Sequence, residues 1–308
     1  MIKELQSYSI CPTLEDFLEA NGQDIGLIYR DNHCWTSLKQ KAGKCYYTPD
    51  ANTKKFEKGM SNFLHINSFS YIRFIKRLIA DNFKYEIKNN TDETFYLMFY
   101  YTLFQDPIQK TSFNSIVEAL KCFAQYSLFV EELKEIIEYR IEHIETKTFS
   151  IGKGLPEALE QYGCYSREEI FIIFGQQTIN KKMQGNVSGL FNFANINTEI
   201  FFVTLNKSDK DFSPTTQYQD YLINDQIFHW QSQNTDCHAK RGQRFVNQHS
   251  LGKKFILFVR EDKYDGYRNT CPFYCFGLID YIRSYGDFPM NIEWRLQEPA
   301  LPQFIKAV

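Results

Sequence analysis

The pattern of hydrophobic and polar positions changes near residue 185. Before that point, apolar residues recur three and four positions apart in several windows, which is the spacing of amphipathic helices. After it, short apolar runs alternate with Gly, Pro, Asn and Asp, as in strands joined by turns. The pattern predicts an α+β protein: an N-terminal all-helical domain at 1–150, a helical junction at 151–185 and a compact mixed β-barrel at 186–308.

The helical half contains several well-marked segments. Thr13 can cap a short helix that ends at Asn21 and Gly22. The window 91–105 is apolar on nearly every side, as expected for the central helix of a bundle. Further helices are predicted at 68–82, 112–125, 128–146 and 165–175. The 128–146 window also carries six Glu residues, which we interpret as a mostly solvated face.

The C-terminal half is predicted to contain at least five strands, at 199–205, 226–233, 254–260, 272–283 and 290–296. Alternation along 226–233 divides its side chains between two faces. Phe228, Trp230 and Ser232 share one face, whereas His229 and Gln231 lie on the other.

Composition limits the location and the partners of the protein. The 35 Lys and Arg against 37 Asp and Glu give a formal charge of −2, so nucleic acid cannot be bound by overall basicity and needs a local patch. No window has the roughly 18 apolar residues of a membrane helix, and the N-terminus is charged where a signal peptide is apolar. Eight scattered cysteines fit reduced thiols. We therefore expect a cytoplasmic protein without a membrane partner.

The sequence lacks the common catalytic and metal-binding motifs. It has no GxxxxGK[ST] loop, no GxSxG elbow and no HExxH pair, which argues against nucleotide hydrolysis, esterase chemistry and zinc proteolysis. The HxK fragment at His238 and Lys240 lacks the following Asp of a phospholipase-D-like nuclease, because Phe245 stands there. We expect no catalytic residues, no metal site and no cofactor.

A local basic segment lies within the second half. Residues 237–260 contain six Lys and Arg and no acid. Such a segment suits phosphate contacts within an otherwise neutral domain. The alternative is an ordinary soluble surface loop. The candidates for phosphate contact are Lys240, Arg241, Arg244, Lys253 and Lys254.

The strand immediately before this segment could form a base pocket. Trp230 offers an aromatic plate, while His229 and Gln231 both donate and accept hydrogen bonds. The alternative is that Phe228 and Trp230 belong to the barrel core and the polar residues lie on the surface. The complete set of pocket candidates is Trp230, His229, Gln231 and Ser232, with Tyr218, Tyr221 and Asp220 as weaker members.

The strings LNKSDKDFSPTT, FHWQSQ and GQRF occur in that order, and YSREEI precedes them. They resemble the C-terminal region of bacterial superfamily-two DEAD/DEAH helicase-like proteins with a phospholipase-D-like nuclease, among them SauUSI-type type IV modification-dependent restriction enzymes. The resemblance implies a helical coupler followed by an SRA/PUA-like domain. It covers nearly the whole chain, but the nuclease and helicase lobes of that family are absent here, so their catalytic activities are not expected.

The resemblance implies a DNA-recognition module of a restriction or phage-defence helicase. The expected ligand is double-stranded DNA carrying 5-methylcytosine or 5-hydroxymethylcytosine, read by base flipping. The expected partners are helicase and nuclease domains, in cis or in trans, and a homodimer is a further option. The alternative hypothesis is a protein-interaction or assembly module of a helicase, without modified-base recognition.

Overall fold

The computed structural model describes residues 1–183, 189–207 and 219–305, and the chain forms two compact units. The first, which we call the helical unit, comprises Met1–Lys147, Glu168–Met183 and Gly266–Asn269. The second, the sheet unit, comprises Thr148–Arg167, Gln184–Asp265 and Thr270–Val308. Residues of the predicted 151–185 junction are therefore divided between both units.

The helical unit is built from short and medium helices. Their bounds are α1 (Ile2–Ser7), α2 (Leu14–Asn21), α3 (Ile25–Ile28), α4 (Trp35–Lys41), α5 (Ala51–Met60), α6 (Phe69–Ala80), α7 (Asp92–Phe104), α8 (Ile116–Phe123) and α9 (Ser127–Glu142). α10 (Arg167–Ile173) begins at the boundary between the units. No helix in the described part of the chain is long and apolar enough to cross a membrane.

Local signals explain where these helices begin and end. The Thr13 hydroxyl accepts a hydrogen bond from the Asp16 amide at the start of α2, and Gly22 takes the left-handed conformation at its end. α7 is buried on nearly all sides, which confirms the prediction of a central helix. Its aromatic side chains pack against those of α6, for example Tyr96 edge-on to Phe74 at a ring-centroid distance of 4.8 Å.

One member of the acidic run in α9 is internal. Glu132 is fully buried, and its carboxylate accepts hydrogen bonds from the backbone amides of Trp35 (2.8 Å) and Thr36 (2.9 Å) at the start of α4. Those amides have no partner within the helix, so the carboxylate satisfies them and matches the positive end of the helix dipole. The outward assignment of the run is therefore corrected for Glu132.

The sheet unit contains two sheets. β1 (Phe149–Ser150) and β2 (Glu160–Gln161) form a small antiparallel pair. The larger, eight-stranded sheet contains β3 (Cys164–Tyr165), β4 (Leu190–Phe193), β5 (Thr198–Thr204), β6 (Tyr221–Leu222), β7 (Ile227–Gln231), β8 (Lys254–Arg260), β9 (Phe273–Tyr285) and β10 (Asn291–Leu296). Its order is β4-β5-β8-β9-β10-β7-β6, with β3 paired to β9.

The α+β class and the order of helices before strands are confirmed, but the sheet is not a closed barrel. β4 and β6 stand at opposite edges of the order, and no pairing joins them within the described ranges. The β5–β8 pair is parallel and the other pairs are antiparallel. A barrel needs its first and last strands to pair, which the sequence pattern of individual strands does not specify.

The basic segment 237–260, for which a surface loop was the alternative interpretation, contains helix α11 (Lys240–Val246) before β8. Before it, the Asp236 carboxylate accepts hydrogen bonds from the amides of His238 (2.7 Å) and Ala239 (2.8 Å), which fixes the turn that leads into the helix. A Cβ at Gly242 would lie 2.0 Å from the Asp236 carbonyl oxygen, so only glycine fits this close approach. α11 packs its Phe245 into the apolar core beneath the sheet.

Candidate functional site

Trp230 belongs to the core of the sheet unit. Its side chain is 7% exposed, and its ring lies edge-on to Phe201 (4.7 Å between centroids) and Phe245 (5.4 Å). The alternation predicted along β7 is present, but Phe228 and Trp230 occupy the inner face. This corrects the interpretation of Trp230 as an open stacking plate, because core packing already covers the ring.

Ser232 is also internal and performs a structural task. Its hydroxyl donates to the Gln233 carbonyl (2.8 Å) and accepts from the Met290 amide (3.0 Å). The Ser232 amide in turn donates to the Met290 carbonyl (2.9 Å). Ser232 therefore ties the end of β7 to the start of β10 instead of facing a ligand.

The opposite face of the same strands is polar and carries the other candidates. The strand register places Tyr221, His229, Glu293 and Arg283 side by side across β6, β7, β10 and β9. A second row contains Gln231, Asn291 and Tyr285. We call these seven residues the polar face.

Tyr221 and His229 form a stacked pair on the polar face. Their ring centroids are 4.5 Å apart and the ring planes differ by 20°. The Nδ1 atom of His229 lies 2.9 Å from the Gln219 carbonyl oxygen. A carbonyl can only accept, so we assign the proton to Nδ1, which leaves Nε2 as an acceptor in the neutral ring. The orientation of His229 is thus fixed by its backbone partner.

Gln231 is positioned by neighbours on both sides. Its side-chain oxygen accepts from the Gln219 amide (2.8 Å), and its side-chain nitrogen donates to the Asn291 oxygen (3.0 Å). The second hydrogen of that nitrogen and one from the Asn291 amide add to the donor capacity at this end of the sheet.

Asp220 lies beneath the polar face as a buried anchor. One carboxylate oxygen accepts from the Gln231 backbone amide (3.0 Å), and the other pairs with the Lys207 ammonium. Burial raises the pKa of the Asp220 carboxyl, and the Lys207 charge opposes that increase. Because each of its carboxylate oxygens has a partner within the sheet unit, Asp220 supports β6 and β7. Tyr218, the remaining pocket candidate, lies outside the described residues.

Glu293 and Arg283 neutralise each other on the polar face. The guanidinium of Arg283 makes two hydrogen bonds to the carboxylate, at 2.8 and 2.6 Å. These bonds lower the pKa of Glu293. The Arg283 side chain is nevertheless largely exposed, so it can meet a further anion.

Two tyrosines give the polar face its exposed aromatic surface. Tyr221 is 47% exposed and Tyr285 is 50% exposed. They lie on either side of the buried His229 ring, and the centroid of Tyr285 is 6.5 Å from that ring. Tyr285 was not predicted as a site residue, since its sequence position is simply the end of a strand.

The predicted phosphate contacts separate into distinct groups. Arg244 and Lys253 both pair with the fully buried Glu199, at 2.8 and 3.1 Å. Their positive charges therefore compensate the Glu199 carboxylate inside the protein. This corrects their assignment as surface phosphate contacts.

Lys254 lies at the start of β8, well separated from Tyr285 along the neighbouring strand β9. β8 begins beside Ile279, about six residues along β9 from Tyr285, which corresponds to roughly 20 Å. The Lys254 ammonium also donates to the Gly154 carbonyl (3.0 Å). It is therefore separated from the polar face.

Lys240 and Arg241 lie at the N-terminal end of α11. Lys240 is exposed, and the Arg241 guanidinium donates to the Gln233 side chain (2.8 Å), two residues beyond Gln231. The same end holds the turn between β9 and β10, since the Phe288 amide donates to the Thr235 carbonyl (3.1 Å). Exposed tyrosines, oriented amides and two cations therefore share one end of the sheet.

Within the described ranges, no group of three or more His, Cys, Asp or Glu side chains is arranged to hold a metal ion. The chemistry available at the polar face is aromatic stacking, hydrogen bonding and charge pairing, which serve binding.

Residues 159–305 match the family described as domain of unknown function DUF3427. The match covers just under half of the chain and most of the sheet unit. Its description assigns no activity to that region. No curated protein was found to match the chain.

Proposed function

We propose that the sheet unit is a DNA-recognition module without catalytic activity of its own. Bases would be contacted by the exposed tyrosines and amides of the polar face, and phosphates by Lys240 and Arg241. The observation that carries the proposal is the placement of all these groups at one end of the sheet. Lys254, at the start of β8, lies outside this group.

The residue types suit recognition of an unstacked base. Every base has a face that an exposed tyrosine ring can cover, at about 1–3 kcal/mol per base. Amide groups such as that of Gln231 can then test the hydrogen-bonding edge. Glu293 lies in the neighbouring row, beside His229, and Arg283 holds it in place.

We further propose modified cytosine, 5-methyl or 5-hydroxymethyl, as the preferred base. The support is the resemblance to modification-dependent restriction enzymes, in which a helicase and a nuclease act with the reader. Burial of one methyl group contributes only about 0.8 kcal/mol, so discrimination would also depend on the shape around the base. Helicase and nuclease domains, in cis or in trans, are the corresponding proposed partners.

The experiment is a fluorescence-anisotropy titration of the full chain with matched duplexes containing cytosine, 5-methylcytosine or 5-hydroxymethylcytosine, over a series of salt concentrations. We expect a preference for a modified duplex and about a tenfold loss of affinity for Tyr221→Ala, which removes one stacking ring. Tyr264→Ala, which removes another exposed tyrosine of the sheet unit, is the control. Equal affinity for all three duplexes contradicts the modified-base proposal, and no binding at low salt contradicts DNA recognition.

A second candidate function, protein assembly, is favoured by two side chains of the helical unit. Ile10 is 83% exposed and Tyr46 is 80% exposed, far more than apolar burial would predict. Light scattering after size exclusion tests this candidate. It predicts a dimer that the double variant Ile10→Ser, Tyr46→Ser converts to a monomer, whereas a wild-type monomer contradicts self-assembly.

A further inference from the structure

Phe288 occupies the turn between β9 and β10 in an unusual state. Its side chain is 60% exposed, and its backbone φ is +52°, a region that phenylalanine rarely adopts. No ring contact of Phe288 with another aromatic side chain is found in the described part of the chain. The Phe288 side chain therefore gains little from packing while its backbone is strained. This combination indicates a role in binding rather than in stabilising the fold.

The turn that carries Phe288 is fixed at both sides. The Phe288 amide bonds the Thr235 carbonyl, and Met290 exchanges two hydrogen bonds with Ser232. Met290 itself is fully buried. The exposed ring is thus held by a backbone anchored to the core, which reduces the entropy lost when the ring inserts into a partner.

The surroundings of Phe288 indicate the chemistry of that partner. Tyr285 precedes it by three residues on the same hairpin, and Thr235 leads directly to the segment that bears Lys240 and Arg241. Asp287 is the exposed acid next to the ring. The turn thus has two cations and two aromatic rings near a single carboxylate. This combination suits a polyanionic partner with flat apolar faces, such as nucleic acid, better than an apolar groove on a protein.

We propose that Phe288 is a wedge that enters the base stack of duplex DNA beside the base held at the polar face. This inference rests on the proposed DNA recognition. The ring would stack on the base pair next to the extruded nucleotide and fill the gap, which offsets the stacking lost on extrusion. Lys240 and Arg241 would hold the backbone phosphates while the ring is inserted.

The experiment uses the full chain and a duplex with one 5-methylcytosine next to 2-aminopurine, whose fluorescence rises when it is unstacked. Affinity is measured by anisotropy on the same duplex. Phe288→Gly is the decisive variant, because it removes the ring and glycine adopts the positive φ without strain. Phe288→Trp keeps a flat ring, and Tyr264→Ala is the matched aromatic control elsewhere in the sheet unit.

We expect the wild type, Phe288→Trp and Tyr264→Ala to raise the 2-aminopurine signal. Phe288→Gly should lose most of that increase and bind about tenfold more weakly, the loss of one stacking contact. The inference is overturned if the wild type binds without a fluorescence change, or if Phe288→Gly matches the wild type in both readouts; in either case DNA recognition itself stands. Absence of any wild-type binding overturns the proposed function instead.

Discussion

The guanidinium of Arg244 lies 2.8 Å from the carboxylate of Glu199, a residue that is completely buried at the start of β5. The Lys253 ammonium reaches the same oxygen at 3.1 Å. A buried carboxylate is costly unless it is paired, so these two cations compensate it. The pair also connects the last turn of α11 to the sheet.

Arg244→Ala is accordingly expected to lower stability. We predict a decrease of about 1–3 kcal/mol in the free energy of unfolding, less than for a lone buried pair because Lys253 still faces Glu199. Denaturant unfolding of the full chain measures it. Lys254→Ala is the control and should change stability by less than about 0.5 kcal/mol. An Arg244→Ala variant as stable as the control would contradict the structural role of this pair.

The remaining cations should behave as phosphate contacts. Lys240→Ala is predicted to reduce the slope of log affinity against log salt concentration by about one, with little effect on stability. Arg241→Ala should act similarly, while Lys254→Ala leaves the slope unchanged. DNA titrations across a salt series provide the measurement. If Lys254→Ala alters the slope and Lys240→Ala does not, the DNA does not bind at the polar face.

The basic segment shows where sequence reasoning reaches its limit. Its six cations and lack of acids are visible in the sequence, but Glu199, which consumes two of those charges, lies 45 residues before Arg244. Pairing across that separation depends on the parallel β5–β8 contact. Strand alternation in β7 was predictable because it is local, whereas the choice of inner face depends on core residues from distant segments such as Trp294 and Phe245.

The helical unit offers an independent test at Glu132. Glu132→Ala removes the acceptor of two buried backbone amides, so we expect a loss of about 2–4 kcal/mol in the free energy of unfolding. Glu138→Ala, at an exposed position of the same helix, is the matched control. Equal unfolding midpoints for the two variants would contradict the capping role of Glu132.

The Glu293–Arg283 pair predicts a pH dependence. The hydrogen bonds from Arg283 lower the pKa of Glu293 below its usual value of 4.5, so the folded state binds its proton less tightly than the unfolded state. The resulting stabilisation is fully present above pH 4.5 and is lost as pH falls through the lowered pKa. Thermal midpoints measured from pH 7 down to pH 3 should therefore converge for wild type and Glu293→Gln. A difference that grows with acidity would contradict this sign.

The sequence contains part of the signal for the Phe288 turn. Gly286 and Asp287 between two apolar runs are a turn signal, and the Phe288 that follows is placed on that turn. Its exposure, however, depends on the anchoring of Thr235 and Ser232, which the sequence does not reveal. The helix α11 was not predicted, because a seven-residue helix gives only a weak periodic signal.

Hydrogen–deuterium exchange of the full chain, with and without a duplex containing 5-methylcytosine, tests the location of DNA most directly. We predict that DNA slows exchange in residues 219–241 and 283–293, which contain the polar face, the start of α11 and the Phe288 turn. The segment 251–256, at the start of β8, should exchange at an unchanged rate. Protection confined to residues 1–147, or to 251–256, would contradict the proposed site.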